Sequence, residues 1–151
     1  MISDDQYLER LVAGIQSATS ENADVRWNET LNGRQFDVVV RFQMGTLRYL
    51  VLIEVKNRKR PASVSDLEAF VVKAGDQRAN KAVFVTAAGF QSGAVSVAQN
   101  HGIDLFTLTF DDEVTIPSAA SLLTRQNPEA PADMKPEFSI SDPELMACVT
   151  D

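Results

Sequence analysis

Cysteine is nearly missing from this chain. The one thiol, Cys148, lies near the C-terminus, so no internal disulfide can staple the fold and no oxidising compartment is needed. A cytoplasmic setting is expected. Histidine is equally scarce: His101 stands alone beside Gly102, which excludes a histidine-rich zinc site and leaves a Ser–His–acid hydrolase without support. Its plainer role is in the last turn of a helix, facing the helix dipole. No apolar run approaches the ~18 residues of a membrane span, so no membrane partner is expected. The stretch Met1-Ile2-Ser3-Asp4-Asp5 is acidic where a signal peptide would be basic. Gly89 and Gly93 are not followed by the Lys-Ser or Lys-Thr of a phosphate-binding loop, and nothing resembles a helix-turn-helix or zinc finger.

What is present suits one globular domain with a tail. The chain has 151 residues, 44% of them apolar and 23% charged, enough to bury a core unaided. Its net charge of -7 is unevenly placed. Residues 1–110 hold 12 Lys/Arg and 12 Asp/Glu, whereas residues 111–151 hold 2 basic and 9 acidic residues and five of the six prolines. Within the first part, residues 34–81 hold 10 basic and 5 acidic residues. The acidity therefore belongs to the tail, and a polyanionic substrate remains compatible with the rest. We divide the chain into a domain over 1–110 and an acidic, proline-containing tail or linker over 111–151. The tail reads as extended or disordered, with a short helix near residues 118–125.

Periodicity gives the elements. Ser3 and Gln6 have the form of a capping box, and Tyr7, Leu8, Leu11, Val12 and Ile15 recur at helical spacing over residues 4–18. Residues 24–30 read as a short strand, followed by the hairpin signal Asn32-Gly33. Residues 34–42 and 47–56 are β-branched and aromatic strands joined tightly through Gln43-Met44-Gly45-Thr46. Pro61 ends this region, and Ser63 or Ser65 can cap a helix to about Ala79, with Val64, Leu67, Phe70, Val71 and Ala74 on its apolar face. A strand over 81–87, a helix over 91–101 closed by Gly102, and a strand over 103–110 complete the domain. The order αβββαβαβ predicts an α/β (α+β) mixed sheet with helices on both faces.

Two carboxylates interrupt otherwise apolar strands. Asp37 stands among Phe36, Val38, Val39 and Val40, and Glu54-Val55-Lys56 ends the run Tyr49 to Ile53. Unpaired carboxylates in strand interiors cost several kcal/mol, roughly, so something must offset them. Glu54 and Lys56, two apart, share a face. A turn centred between Met44 and Gly45 sets Asp37 opposite Leu52, with Glu54 as its diagonal neighbour about 7–8 Å away. A structural salt-bridge network is one reading. The other is chemical: two carboxylates at that spacing suit Mg²⁺, and Lys56 can orient or deprotonate a water or neutralise a phosphoryl transition state.

With its α-β-β-β-α-β order, the Asp37…Glu54-Val55-Lys56 pattern resembles the PD-(D/E)XK nuclease superfamily. The segment Lys81 to Ala94, followed by Gly102-Ile103-Asp104-Leu105, is similar to its Mrr-like restriction endonuclease branch. The resemblance covers roughly residues 5–110. It implies a restriction-endonuclease-like fold in which Asp37 and Glu54 are metal ligands, Lys56 is the catalytic lysine, the Val55 carbonyl is a further ligand, and Glu9 matches a carboxylate of the first helix. It implies Mg²⁺, with Mn²⁺ as a substitute, and in-line attack of water on a DNA phosphodiester in a restriction or defence setting. A homodimer, or an additional domain or partner protein, would fit relatives of this kind. Two departures are Phe36 where the superfamily's named motif has proline, and Asn57 where Mrr-like relatives often have glutamine. Arg58, Lys59 and Arg60 follow the motif as candidate phosphate contacts, and Lys73 and Gln77 are candidates on the next helix. The competing reading is a nuclease-like module that binds nucleic acid or protein without cutting.

Overall fold

The computed structural model of the chain describes residues 4–108 and 123–126. Helix α1 (Asp4–Thr19) is followed by strands β1 (Asp24–Leu31), β2 (Arg34–Met44) and β3 (Leu47–Lys56). Helix α2 (Val64–Gly75), strand β4 (Lys81–Thr86), helix α3 (Ser92–His101) and strand β5 (Ile103–Leu108) come next, and β6 (Leu123–Arg125) is last. The six strands form one sheet in the order β1-β2-β3-β4-β5-β6. The first three are an antiparallel meander, β3, β4 and β5 are parallel, and β6 returns antiparallel to β5.

Local chemistry accounts for most boundaries. Asn32 and Gly33 carry φ of 48° and 78°, the paired left-handed conformation that a two-residue hairpin turn needs. Ser63 caps α2: its side chain accepts from the Asp66 N–H while the Asp66 carboxylate accepts from the Ser63 N–H. Helix α2 stops at Gly75, short of the expected Ala79, and Arg78 turns the chain at φ 54°. Gly102, at φ 65°, closes α3 in the left-handed region.

Two expectations are corrected. The β2–β3 turn is Gly45-Thr46, with Met44 paired to Leu47, so Val38 faces Ile53 and Val39, not Asp37, faces Leu52. One further step along this register brings Asp37 abreast of Glu54. The cause is Gly45, whose φ of 59° lets it take the left-handed turn position. The helix expected near 118–125 is absent from Leu123–Arg125, which form β6, with the Gln126 N–H donating to the Leu105 carbonyl at 2.8 Å. Residues 118–122, the Ser3 capping box and the end of the strand expected to reach Phe110 lie outside the described residues.

The sheet buries both faces. Leu8, Val12 and Ile15 of α1 pack on Val38, Val40, Ile53, Val55, Val83 and Val85. On the other face, Leu67, Phe70 and Ala74 of α2 and Ala94 and Ala98 of α3 cover Phe36, Val39, Leu52, Phe84 and Leu105. Each fully buried large apolar side chain contributes roughly 1.5–3 kcal/mol. Leu52 belongs to the α2/α3 face and Ile53 and Val55 to the α1 face, so the alternation of β3 puts Glu54 and Lys56 on the α2 side. Because β3, β4 and β5 are parallel, Lys56, Thr86 and Leu108 all finish at one end of the sheet.

Candidate active site

Asp37 sits where the sheet opens. The β2–β3 ladder ends at Val38–Ile53, and on the other side the β1–β2 ladder skips the Asn28–Asp37 position, where Asn28 adopts φ 56°. Face alternation also breaks here, since Phe36 and Val39 pack on the same side while Val38 packs on the other. The Val55 N–H, left without a β2 carbonyl, donates to Asp37 Oδ2 at 2.7 Å. A strand residue directs its N–H and C=O to the same neighbour, so the Val55 carbonyl faces this gap as well. Burial, aided by the nearby charge of Glu54 and then Glu9, raises the Asp37 pKa from 3.8 to about 6, against the lowering effects of the Val55 hydrogen bond and Lys56.

Glu54 is one of two buried polar residues in the described core, at 7% exposure. Both of its oxygens are engaged. Lys56 Nζ lies 2.8 Å from Oε1, and Lys73 Nζ donates to Oε2 at 2.8 Å. Burial works against the Lys56 ammonium, but the hydrogen bond and charge of Glu54, with Asp37, outweigh it and hold the pKa above that of ordinary lysine. The other buried polar residue, Thr86, is paired with Lys56 across β3–β4, and its Oγ1 accepts from the Ala88 N–H at 3.2 Å.

Asp37, Glu54 and Lys56 are thus brought together, and Lys73 joins them. Its helical spacing identified a face but not the partner, because register on β3 and the phase of α2 must both be known to see that they meet. Gln77, one turn later, is placed elsewhere: it accepts from Asn32 Nδ2 at 2.8 Å and lines a depression of about 670 Å³ with Arg41 and Arg48, towards the opposite end of the sheet. Glu9 approaches Asp37 closely enough to act on its charge, while its Oε2 accepts from Trp27 Nε1 at 3.0 Å. Trp27 thus fixes Glu9, while Arg10 stacks over its ring at 4.3 Å.

The basic run after Lys56 divides in two. Arg58 and Arg60 both turn back to Asp66 at the start of α2, at 3.0 Å and 3.7 Å. Lys59 is exposed and, with Asn57, Arg58, Asp5, Ala87 and Ala88, lines an open depression of about 780 Å³ at the carboxylate end of the sheet.

The donor chemistry fits a hard divalent cation. Asp37 and Glu54 offer carboxylate oxygens, and the raised pKa of Asp37 reflects in part a like-charge repulsion that a cation would relieve. Among the described residues no group of three or more His, Cys, Asp or Glu side chains converges as a ready metal cage.

Residues 3–109 match the family model of the Mrr catalytic domain, described as a restriction endonuclease. No curated protein matches by sequence. Among solved structures, the protein of unknown function AF1548 is similar at 14% identity and a TM-score of 0.58, over 78% of this chain and 66% of that one. EndoMS in its apo form is similar at 15% identity and a TM-score of 0.51, over 73% of this chain and 48% of its own. A repair endonuclease from Pyrococcus abyssi is similar at 16% identity and a TM-score of 0.51, over 70% and 47%. This chain therefore spans about two thirds of the first and about half of the other two. At such identities these likenesses establish the fold.

Proposed function

Because the chain belongs to the Mrr-type restriction endonuclease family, we propose that it is a metal-dependent nuclease that hydrolyses DNA phosphodiesters at the Asp37–Glu54–Lys56 cluster. The observation that carries this reading is the pair of carboxylates at the parting of β2 and β3, with a lysine ammonium 2.8 Å from one of them. A structural salt bridge needs one carboxylate per cation. It does not account for Asp37, whose charge is disfavoured where it stands and whose partner is a backbone N–H.

Asp37, Glu54 and the Val55 carbonyl would hold Mg²⁺ or Mn²⁺, with Glu9 as a further ligand if it exchanges Trp27 for the cation. When bound, the ion polarises a phosphoryl oxygen and activates a water for in-line attack. Lys56, kept as an ammonium by its carboxylate neighbours, serves at neutral pH to hold that water or to stabilise charge on the phosphoryl oxygens. Lys59 is the first backbone contact of the basic run, because Arg58 and Arg60 are already engaged by Asp66. A restriction or defence setting, action as a homodimer and cooperation with a partner domain belong to the same reading. So does the division into a nuclease domain over 1–110 and an acidic tail over 111–151.

The test is cleavage of supercoiled plasmid DNA with Mg²⁺ or Mn²⁺ by wild type, Glu54→Ala and Lys56→Ala. Metal-dependent nicking that disappears in both variants supports the assignment. Wild type that neither cleaves nor binds metal by calorimetry favours a non-catalytic binding module.

A further inference from the structure

Lys73 is held from two sides. Its Nζ donates to Glu54 Oε2 at 2.8 Å and lies 4.6 Å from the centroid of the Phe36 ring, which is fully buried. Its side chain is only 21% exposed. A lysine that contacted a nucleic-acid backbone would extend its ammonium into solvent. This one turns inward, on a helix whose start is locked by the Ser63–Asp66 capping box. The result is an over-supplied carboxylate: Glu54 meets two ammonium groups, one from its own strand and one from α2.

Two consequences follow from charge alone. Lys73 fixes the Oε2 oxygen and so orients the carboxylate in the metal-free protein. It also places a positive charge on the carboxylate that would hold a divalent cation, and like charges sharing one carboxylate repel. Lys56 is needed near the reacting phosphate on the reading above, whereas Lys73 reaches Glu54 from α2 with its ammonium over the Phe36 ring.

We propose that Lys73 is a positioning residue that holds Glu54 in its metal-free orientation and weakens divalent-cation binding, so that it acts as a built-in brake on metal loading. This rests on the assignment of Glu54 as a metal ligand. The brake makes occupancy depend on free cation concentration instead of leaving the ion permanently bound.

The experiment is calorimetric titration of Mg²⁺ and Mn²⁺ into the full chain as wild type, Lys73→Met and Lys73→Arg, at fixed ionic strength, with folding checked by circular dichroism. Methionine keeps the apolar stem over Phe36 and removes the charge, so binding is expected to tighten by about tenfold or more. Arginine keeps the charge beside Glu54 and is expected to return Kd to within about twofold of wild type. A purely structural lysine would change thermal stability in Lys73→Met and leave Kd where it was, or weaken it, and either result overturns the proposal. If Lys73→Met does not fold, Lys73→Gln is used in the same titration with the same expected direction. Wild type that binds no divalent cation overturns the metal assignment and this inference together. Wild type that binds, with an unchanged Lys73→Met, overturns this inference alone.

Discussion

The carboxylate of Asp37 accepts the backbone N–H of Val55 at 2.7 Å, so the acid on one strand is tied to the residue between the acid and the base on the next. That bond replaces a rung of the β2–β3 ladder and sets the spacing of the whole cluster. The bond offsets only part of the burial and of the nearby Glu54 charge, so the Asp37 carboxylate stays disfavoured in the metal-free fold.

Asp37→Asn should therefore stabilise the metal-free protein while abolishing cleavage. Burial raises the folded-state pKa from 3.8 to about 6, so between these values the folded state binds more protons than the unfolded state. Wild-type stability from this group is present below pH 3.8, falls as pH rises through 6 and stays low at pH 7. The asparagine variant, which keeps an acceptor for Val55, should lose that slope and gain at most roughly 3 kcal/mol at pH 7. Urea unfolding from pH 4 to pH 7 in the presence of a chelator measures it. Equal slopes in both proteins would sink the idea.

Glu54→Gln should abolish cleavage with the opposite effect on stability. It leaves the Lys56 and Lys73 ammonium groups converging on a neutral amide. Breaking a fully buried pair costs roughly 3–5 kcal/mol, and the partial exposure of both lysines reduces this to about 2 kcal/mol. Thermal unfolding of the variant beside Asp37→Asn at pH 7 tests the contrast in sign.

Metal binding should weaken in acid. With Asp37 titrating at about 6 in the metal-free protein, each cation bound below that pH must displace a proton. The apparent affinity for Mg²⁺ should fall by about tenfold per pH unit below 6 and level off above 7. Calorimetry in two buffers of different ionisation enthalpy reads the proton count directly, and zero protons released at pH 5.5 would count against Asp37 as a ligand.

Asp66→Asn should strengthen nucleic-acid binding. Asparagine retains capping ability for Ser63 but releases Arg58 and Arg60 from their shared carboxylate. The plot of log K against log salt should steepen by about 1–2 units, whereas Lys59→Ala should flatten it by about 1. Fluorescence anisotropy on a labelled duplex with Ca²⁺ or chelator separates binding from cleavage.

The sequence made the strands and the motif legible because each rests on short-range chemistry. Asn32-Gly33, the serine cap of α2 and Gly102 act within one turn of chain; the first and last stand where expected, and of Ser63 and Ser65 it is Ser63 that caps α2, with Asp66 completing the box. Register was harder to read. The choice between a turn at Met44-Gly45 and one at Gly45-Thr46 moves the residue facing Leu52 from Asp37 to Val39, and it hangs on the single preference of Gly45 for a left-handed turn position. Lys73 illustrates the same limit over longer range: its contact with Glu54 spans 19 residues and depends on how α2 settles over the sheet. Leu123–Arg125 pair with β5 across a separation that local periodicity cannot see, and so they read as a helix.

The sheet's flanks carry one more consequence. On the outer strand β1, the Asn28 kink divides the ladder into Asp24–Trp27 and Glu29–Leu31, and on the other side β6 is only 3 residues long. Strands most often run about 5–6 residues, longer than either uninterrupted half of the β1 ladder. Asp24, Arg26 and Glu29 add charge along the first of these rims. A foreign strand meeting the β1 rim finds its regular run interrupted at Asn28, a feature that discourages edge-to-edge pairing. A substitution that straightened β1 at Asn28 would lengthen its regular run and make that rim a better template for a foreign strand.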